Sequence, residues 1–491
     1  MAHSQTLLVG SSGGVIPVIS DLPSTIPATL RATAARHPDV EAIVDADVRL
    51  TYRDLDRAVL EAGRALIGMG VAPGDRVAIW AQNCWQWCVI ALATATAGAV
   101  CVPINTRFRG GEAAQLIRDS QAVALFTSTG FLDGDYPAML RLAAPDLDAL
   151  TTVVMVGRAA DGDLSWDDFV RKGAAISESE ILARAEAVTA DDMSDVVYTS
   201  GTTGFPKGVV QTHGNVIRAT TALSTAWTLT AGDRNLTVIP LTTTFGLRGG
   251  LHSGIIVGAT LVLESVFSVT NILDVIERER ITILPGPPTI LDALLSPAAD
   301  DRDLSSLRVA FVASTVVPEE LIVNLFAKKI FRHVLTGWGL TEACGPVALT
   351  TITDTPALIA STAGKVVEQI RLKVVDERGA SLPPGTPGRL LVHSPYNMKC
   401  YLGDPARTAE VLDADGWLDT GDVGTVDELG YVRITGRSKD MVIVGGFNVY
   451  PAEVEVAIRT HPGVQDVAIV GMPDARLGEV TAAFIVAPPG G

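Results

Sequence analysis

Residues 198–209 read Tyr198-Thr-Ser-Gly-Thr-Thr-Gly-Phe-Pro-Lys-Gly-Val209. These twelve residues hold five hydroxyl side chains, three glycines and one lysine. The run Asp195-Val-Val-Tyr198 before it reads as the end of a short apolar strand. Residues 209–227 after it are long enough for a strand end and a helix. Glycines let a backbone come close to a bulky anion, and free N–H groups with hydroxyls can surround phosphate oxygens. Lys207 adds a point positive charge. The run therefore reads as a polyphosphate cradle. It is not a Walker A loop, which needs Gly, four residues, then Gly-Lys-Ser/Thr; here Gly208 follows Lys207.

Working outward, short apolar runs alternate with helical patterns from about residue 26. Residues 42–45 and 50–52 read as a hairpin, 54–69 as a long amphipathic helix, 76–80 as a strand and 85–97 as a helix. Further buried strands are expected at 100–103, 122–126, 152–156, 235–240, 260–264, 281–285 and 309–312. Such alternation implies parallel sheets covered on both faces. After about 365 the strands at 370–376, 389–393 and 431–435 are separated by Pro/Gly turns, which suggests an antiparallel or barrel-like unit. A helix at 451–459 and strands at 464–471 and 481–487 then start a small α+β domain.

The expected fold class is α/β. Residues 1–25 read as a leader and 26–364 as a large part built of two doubly wound sheets. Residues 365–438 form a β-rich subdomain, and 439–491 a small α+β domain whose end, Pro488-Pro-Gly-Gly491, reads as a loop cut mid-domain.

Composition narrows the function classes. The chain has 491 residues, 47% of them apolar, enough for large cores. A net charge of −17 argues against nucleic acid as the main partner. Five cysteines and seven histidines show no metal-ligand spacing, and unpatterned cysteines suit a reducing, cytoplasmic setting. No basic region precedes the short apolar N-terminal run, so no signal peptide is read. No stretch of ~18 apolar residues is present, so no transmembrane segment is expected. Oligomeric state is not legible.

Three further motifs follow the cradle. Thr336-Gly-Trp-Gly-Leu-Thr-Glu342 sets a flat ring between glycines, then a hydroxyl and a hard oxygen ligand. Gly416-Trp-Leu-Asp-Thr-Gly-Asp422 ends in a carboxylate with two acceptor oxygens. Gly436-Arg-Ser-Lys-Asp440 follows. Taken singly each has a plainer reading, as a buried Trp in a turn, as turn aspartates, or as an exposed lysine.

Together with the loop at 198–209, these motifs resemble those of adenylate-forming enzymes: acyl-CoA synthetases, adenylation domains and luciferases. The resemblance covers residues ~30–487, includes Gly74-Asp-Arg-Val-Ala-Ile and Gly98-Ala-Val-Cys-Val-Pro-Ile-Asn105, and is closest to bacterial fatty-acid-type acyl-CoA ligases. It implies ATP and Mg²⁺ as cofactors, CoA as acceptor, and a small-molecule acid as substrate. It implies that Thr199, Ser200, Gly201, Thr202, Thr203, Gly204 and Lys207 hold the triphosphate. Gly337, Trp338 and Gly339 would meet adenine, Thr341 the α-phosphate, Glu342 the metal, and Asp422 with Arg437 the ribose. Lys207, Thr341 and Glu342 would be the catalytic group. Lys439 falls at the family's hinge, about which the small domain rotates between adenylation and thioester formation.

The sequence departs from the family at three places. The family's Pro-x-x-His-x-x-Gly element reads Pro240-Leu-Thr-Thr-Thr-Phe-Gly246, with Thr243 at the His position, between Thr242 and Thr244. The small-residue element expected beside the adenine and acyl pocket reads Ala313-Ser-Thr315, so Ser314 and Thr315 bring hydroxyls to it. A pocket formed by Thr243, Thr244, Phe245 and Gly339 would then favour a small or polar acid over a long apolar tail. Nitrite activation followed by diazotisation of an aromatic amine, without CoA, stands as the alternative. The third departure is the absence of a Pro-x-x-x-x-Gly-Lys element before residue 491, which leaves a nucleotide-binding sensor as a further reading.

Overall fold

Thr51 accepts a hydrogen bond from the Asp54 amide, and the Asp54 carboxylate reaches back to the Thr51 amide, closing a capping box. This starts the 17-residue helix Tyr52–Gly68 two residues earlier than the sequence pattern suggests. The hairpin before it is Glu41–Asp45 and Val48–Thr51, paired antiparallel. Tyr52 therefore belongs to the helix, where its buried hydroxyl donates to the Gly254 and Ala259 carbonyls.

The computed structural model describes residues 22–145, 147, 150, 152–156, 159, 163–199, 206–313, 317–438, 440, 442–444, 447–449, 451–459, 461, 463–474 and 478–488. Two large sheets dominate. One has eight strands, in spatial order Cys400–Tyr401, Lys207–Thr212, Met193–Thr199, Val100–Pro103, Arg76–Trp80, Ala122–Thr127, Thr152–Met155 and Leu164–Ser165. The other has nine, in the order Lys365–Val366, Gly345–Leu349, His333–Leu340, Val309–Val312, Ile283–Gly286, Arg234–Thr237, Thr260–Leu263, Glu41–Asp45 and Val48–Thr51. Their interiors are parallel and their edges antiparallel, except that Leu164–Ser165 joins the edge of the eight-stranded sheet in parallel. Helix Trp85–Thr96, apolar nearly all round and almost wholly buried, packs against Tyr52–Gly68 within the largest core.

The β-rich stretch after 365 is a four-stranded antiparallel sheet, Arg371–Val375, Gly388–His393, Leu418–Val426 and Val432–Arg437. A last antiparallel sheet joins Phe447–Val449, Val442–Val444, Gly478–Val486 and Asp466–Asp474, with helix Pro451–Arg459 against it. The architecture is the expected α/β fold with a small α+β end. Among the described residues no helix is long and apolar enough to cross a membrane.

Candidate active site

The cradle run joins two antiparallel strands. Met193–Thr199 and Lys207–Thr212 pair antiparallel, in step from Asp195 opposite Gln211 to Thr199 opposite Lys207. Ser200, Gly201, Thr202, Thr203 and Gly204 lie outside the described residues, as do Ser314, Thr315 and Lys439. Lys207 is held at the hairpin root. Its Nζ sits 5.0 Å from the centre of the Tyr401 ring, within cation–π reach.

Tyr401 ties this lysine to the second motif. Its hydroxyl donates to Glu342 Oε1 at 2.8 Å. Burial, then the neighbouring Glu342 charge, pushes the phenol well above its ordinary range, so it stays a donor. Thr341 is anchored twice: Gln211 Nε2 donates to its carbonyl at 2.8 Å, and its hydroxyl lies 3.1 Å from that of Thr244. Thr341 is thus bound to strand Lys207–Thr212 and to the 240–246 segment, and Glu342 to strand Cys400–Tyr401.

The glycines beside Trp338 answer to packing. A Cβ on Gly337 would meet Leu349, Ala348 and Phe311 at under 3.0 Å, and one on Gly339 would lie 1.9 Å from the Gly345 carbonyl oxygen. The hairpin of His333–Leu340 with Gly345–Leu349 shifts register between Trp338 and Gly339, and only glycine admits that approach.

Asp422 lies in strand Leu418–Val426, directly across from Arg437. Its Oδ2 accepts from the Trp338 indole at 2.8 Å and its Oδ1 meets Arg437 Nε at 3.0 Å. The side chain is 6% exposed. Burial pushes its carboxyl above the usual range, while Arg437 and the indole pull it back. Glu342 also acts on it from nearby. Residues from four separate stretches, near 207, 341, 401 and 422–437, therefore form one cluster.

Beside it is a cleft of about 150 Å³ lined by Pro103, Asn105, Phe108, Val197, Tyr198, Thr242, Thr243, Thr244 and Thr341. It opens beyond the carboxyl ends of parallel strands Val100–Pro103, Met193–Thr199 and Arg234–Thr237, where α/β sheets receive ligands. The three threonines differ. Thr243 donates to the Pro240 carbonyl and caps the turn at Gly246, and Thr244 meets Thr341. Thr242 Oγ1 is buried without a partner among the described residues. Thr243 and Thr244 thus line the cleft with their hydroxyls engaged within the chain. Phe245 packs against Phe311 and Trp227, at 5.6 and 6.4 Å between ring centres.

Behind the cluster lies a group that the motifs did not flag. Arg248 pairs with Asp195 at 2.7 Å, each about 1–2% exposed, and meets His252 Nδ1 at 3.1 Å. The Cys344 thiol lies beside it. Tyr401, Gln211 and Arg248 carry no local signature, because their partners are far away in the chain. Among the described residues no group of three or more His, Cys, Asp or Glu is placed to hold a metal. A single carboxylate, Glu342, suits Mg²⁺ carried in on a triphosphate, since that ion keeps several waters and takes one or two carboxylates.

Comparison with known proteins agrees with this geometry. The family described as AMP-binding enzyme matches residues 30–402, and its C-terminal domain matches residues 453–491. The chain is 43% identical over 96% of its length, and 90% of the relative's, to a Mycobacterium tuberculosis protein. That relative is the 3-[(3aS,4S,7aS)-7a-methyl-1,5-dioxo-octahydro-1H-inden-4-yl]propanoyl:CoA ligase. Among solved structures it is similar to the anthranilate CoA ligase AuaEII in complex with anthranoyl-AMP, with TM-score 0.84 and 29% identity over 96% and 89% of the two chains. It is also similar to ATP-bound MatB from Rhodopseudomonas palustris, with TM-score 0.83 and 28% identity over 96% and 90%. Two of the three relatives are CoA ligases by name, and nitrite activation has no counterpart among the three. The acyl-CoA ligases of this family use ATP, Mg²⁺ and CoA and pass through an acyl-AMP intermediate. With its described motif residues clustered beside one cleft and its likeness running nearly end to end, the chain belongs to the AMP-binding enzyme family, as an adenylate-forming ligase of the acyl-CoA synthetase type.

Proposed function

We propose that the chain joins to CoA a polar, ring-bearing carboxylate rather than a long unbranched fatty acid. The observation that carries this reading is the cleft beside Thr341. It is about 150 Å³ and walled in part by Asn105 and the three threonines 242–244. A long alkyl tail would cover such groups without replacing their hydrogen bonds with water. The named relatives support the same class, one taking an oxygenated fused-ring propanoate and one an aminobenzoate by name.

In this reading ATP lies with its phosphates at the hairpin of Thr199 and Lys207, its ribose hydroxyls on Asp422 and its adenine near Trp338. A substrate carboxylate oxygen attacks the α-phosphorus as the bond to pyrophosphate breaks. Lys207 and the Thr341 hydroxyl face the charge that builds up, and Glu342, oriented by Tyr401, helps hold Mg²⁺. Positioning and charge stabilisation are the main contributions asked of the protein. The CoA sulfur then attacks the acyl carbonyl and AMP leaves.

The test is ATP-dependent AMP release and thioester formation on a panel of acids at equal carbon number. Ring-bearing oxo-carboxylates should turn over with a higher kcat/KM than linear ones. Preference for the linear acids would overturn the assignment.

A further inference from the structure

Three side-chain amides run in series behind the site. Gln211 is buried on strand Lys207–Thr212, and its Nε2 donates to the Thr341 carbonyl at 2.8 Å. Its Oε1 accepts from Asn215 Nδ2 at 3.1 Å. Asn215, in the first turn of helix His213–Ala226, also donates from Nδ2 to the Asn397 carbonyl at 2.8 Å. Asn397 Nδ2 in turn donates to the Val392 and Gly416 carbonyls at 3.1 and 3.2 Å. The series ties the strand of Lys207 to the motifs at 336–342 and 416–422.

Backbone carbonyls fix the direction of these amides. A carbonyl only accepts, so Gln211 must present Nε2 to Thr341 and Asn215 must present Nδ2 to Asn397, which leaves Gln211 Oε1 facing a donor. A flip of Gln211 would set acceptor against acceptor and donor against donor in a buried place. The Thr341 carbonyl also accepts from the Cys344 amide at 2.9 Å, closing the turn Thr341–Ala343 that carries the Thr341 hydroxyl and the Glu342 carboxylate. Gln211 therefore pins that turn to a strand paired on both sides. Residues 207 and 211 share one face of this strand by its two-residue period.

We propose that Gln211 is a positioning residue for the adenylation step, which holds the Thr341 hydroxyl in place relative to Lys207 by way of the Thr341 carbonyl. The proposal rests on the reading above, in which Lys207 and the Thr341 hydroxyl face the charge that builds up at the α-phosphorus. Gln211 itself makes no bond to the nucleotide, so its loss acts on kcat and not on the affinity for ATP.

The experiment measures AMP release with CoA, MgATP and the acid of the panel above that has the highest wild-type kcat/KM. Gln211→Met removes the donor at similar length. It should stay folded, because the Thr341 carbonyl keeps Cys344 and Asn215 Nδ2 keeps Asn397. Its kcat should fall roughly ten- to a hundredfold, with the KM for MgATP within about threefold of wild type. Gln211→Leu should behave alike, so the outcome does not depend on one variant. In a Thr341→Ala background, where the hydroxyl is already gone, Gln211→Met should cost no more than about threefold further. A packing role alone would cost the same factor in both backgrounds. Equal losses in the two backgrounds, an unchanged kcat or a loss confined to KM would overturn the proposal while leaving the ligase reading intact. Wild-type turnover in Thr341→Ala would overturn the role of Thr341 and the proposal with it. AMP release with no acid of the panel would overturn the ligase reading as well.

Discussion

Lys207 and Glu342 are 135 residues apart in the chain, and Tyr401 joins them. Its ring takes the lysine and its hydroxyl holds the carboxylate. Lys207→Ala removes the cation proposed to face the phosphates, and pyrophosphate release should fall by about two to three orders of magnitude. Near-normal turnover in a pyrophosphate-release assay would rule out the cradle assignment. Tyr401→Phe separates the two contacts, since it keeps the ring under Lys207 and loses only the bond to Glu342. Freed from that bond, Glu342 should hold Mg²⁺ less well, and the Mg²⁺ concentration for half-maximal rate should rise by about tenfold. Full recovery of kcat at saturating Mg²⁺ is expected, and a metal titration of the rate checks it.

At the scale of elements, Arg248 holds together the pieces that carry the site. Strand Met193–Thr199 brings Asp195, the 244–257 helical segment brings Arg248 and His252, and the turn after Thr341 brings Cys344. The pair is fully buried, so removing one partner leaves an uncompensated charge, at a cost of about 3–5 kcal/mol. Arg248→Met should lower the urea midpoint clearly. The double change Arg248→Met with Asp195→Asn should recover much of the loss, because the stranded carboxylate is gone. Equal midpoints for the two variants would show that the arginine contributes packing alone. The elements themselves were largely legible in the sequence. The alternation of apolar runs marked most of the parallel strands, whereas the start of helix Tyr52–Gly68, capped by Thr51 with Asp54, lies two residues before the expected one. Strand Leu418–Val426 is not among the strands expected from the sequence, because Asp and Gly are turn residues by local preference. Cross-strand pairing with Val432–Arg437 overrode it.

Over the whole molecule, His213 connects distant parts. It opens helix His213–Ala226, is 1% exposed, and accepts at Nδ1 from the Ile26 amide, which starts the first described helix. Burial pushes its imidazole down to about 4, against a partial pull upward from Asp195 and Asp192. The unfolded chain binds this proton near pH 6.5 and the folded chain only near 4. Stability linked to His213 is therefore present above pH 6.5 and lost as the pH falls toward 4. The loss should reach about 2 kcal/mol between pH 7 and pH 5. Unfolding midpoints at these two pH values should differ less in His213→Gln than in the wild-type chain. An identical pH dependence in both would show that His213 is not buried neutral.

The sequence by itself determined the α/β class, much of the order of elements and the chemical inventory of the proposed nucleotide site. Those depend on local periodicity, on glycine and hydroxyl spacing, and on motifs short enough to be read along the chain. The tertiary structure decided which hydroxyls are engaged. Thr242, Thr243 and Thr244 are alike in the chain, yet a cap at Gly246 and a contact with Thr341 engage two and leave the third buried without a partner among the described residues. It also decided that Asp422 would face Arg437 and Trp338, and that Tyr401 would stand between Lys207 and Glu342. Hydrogen-bond satisfaction and burial depend on neighbours brought together from far along the chain, so the residue types could be read in advance and their partners could not.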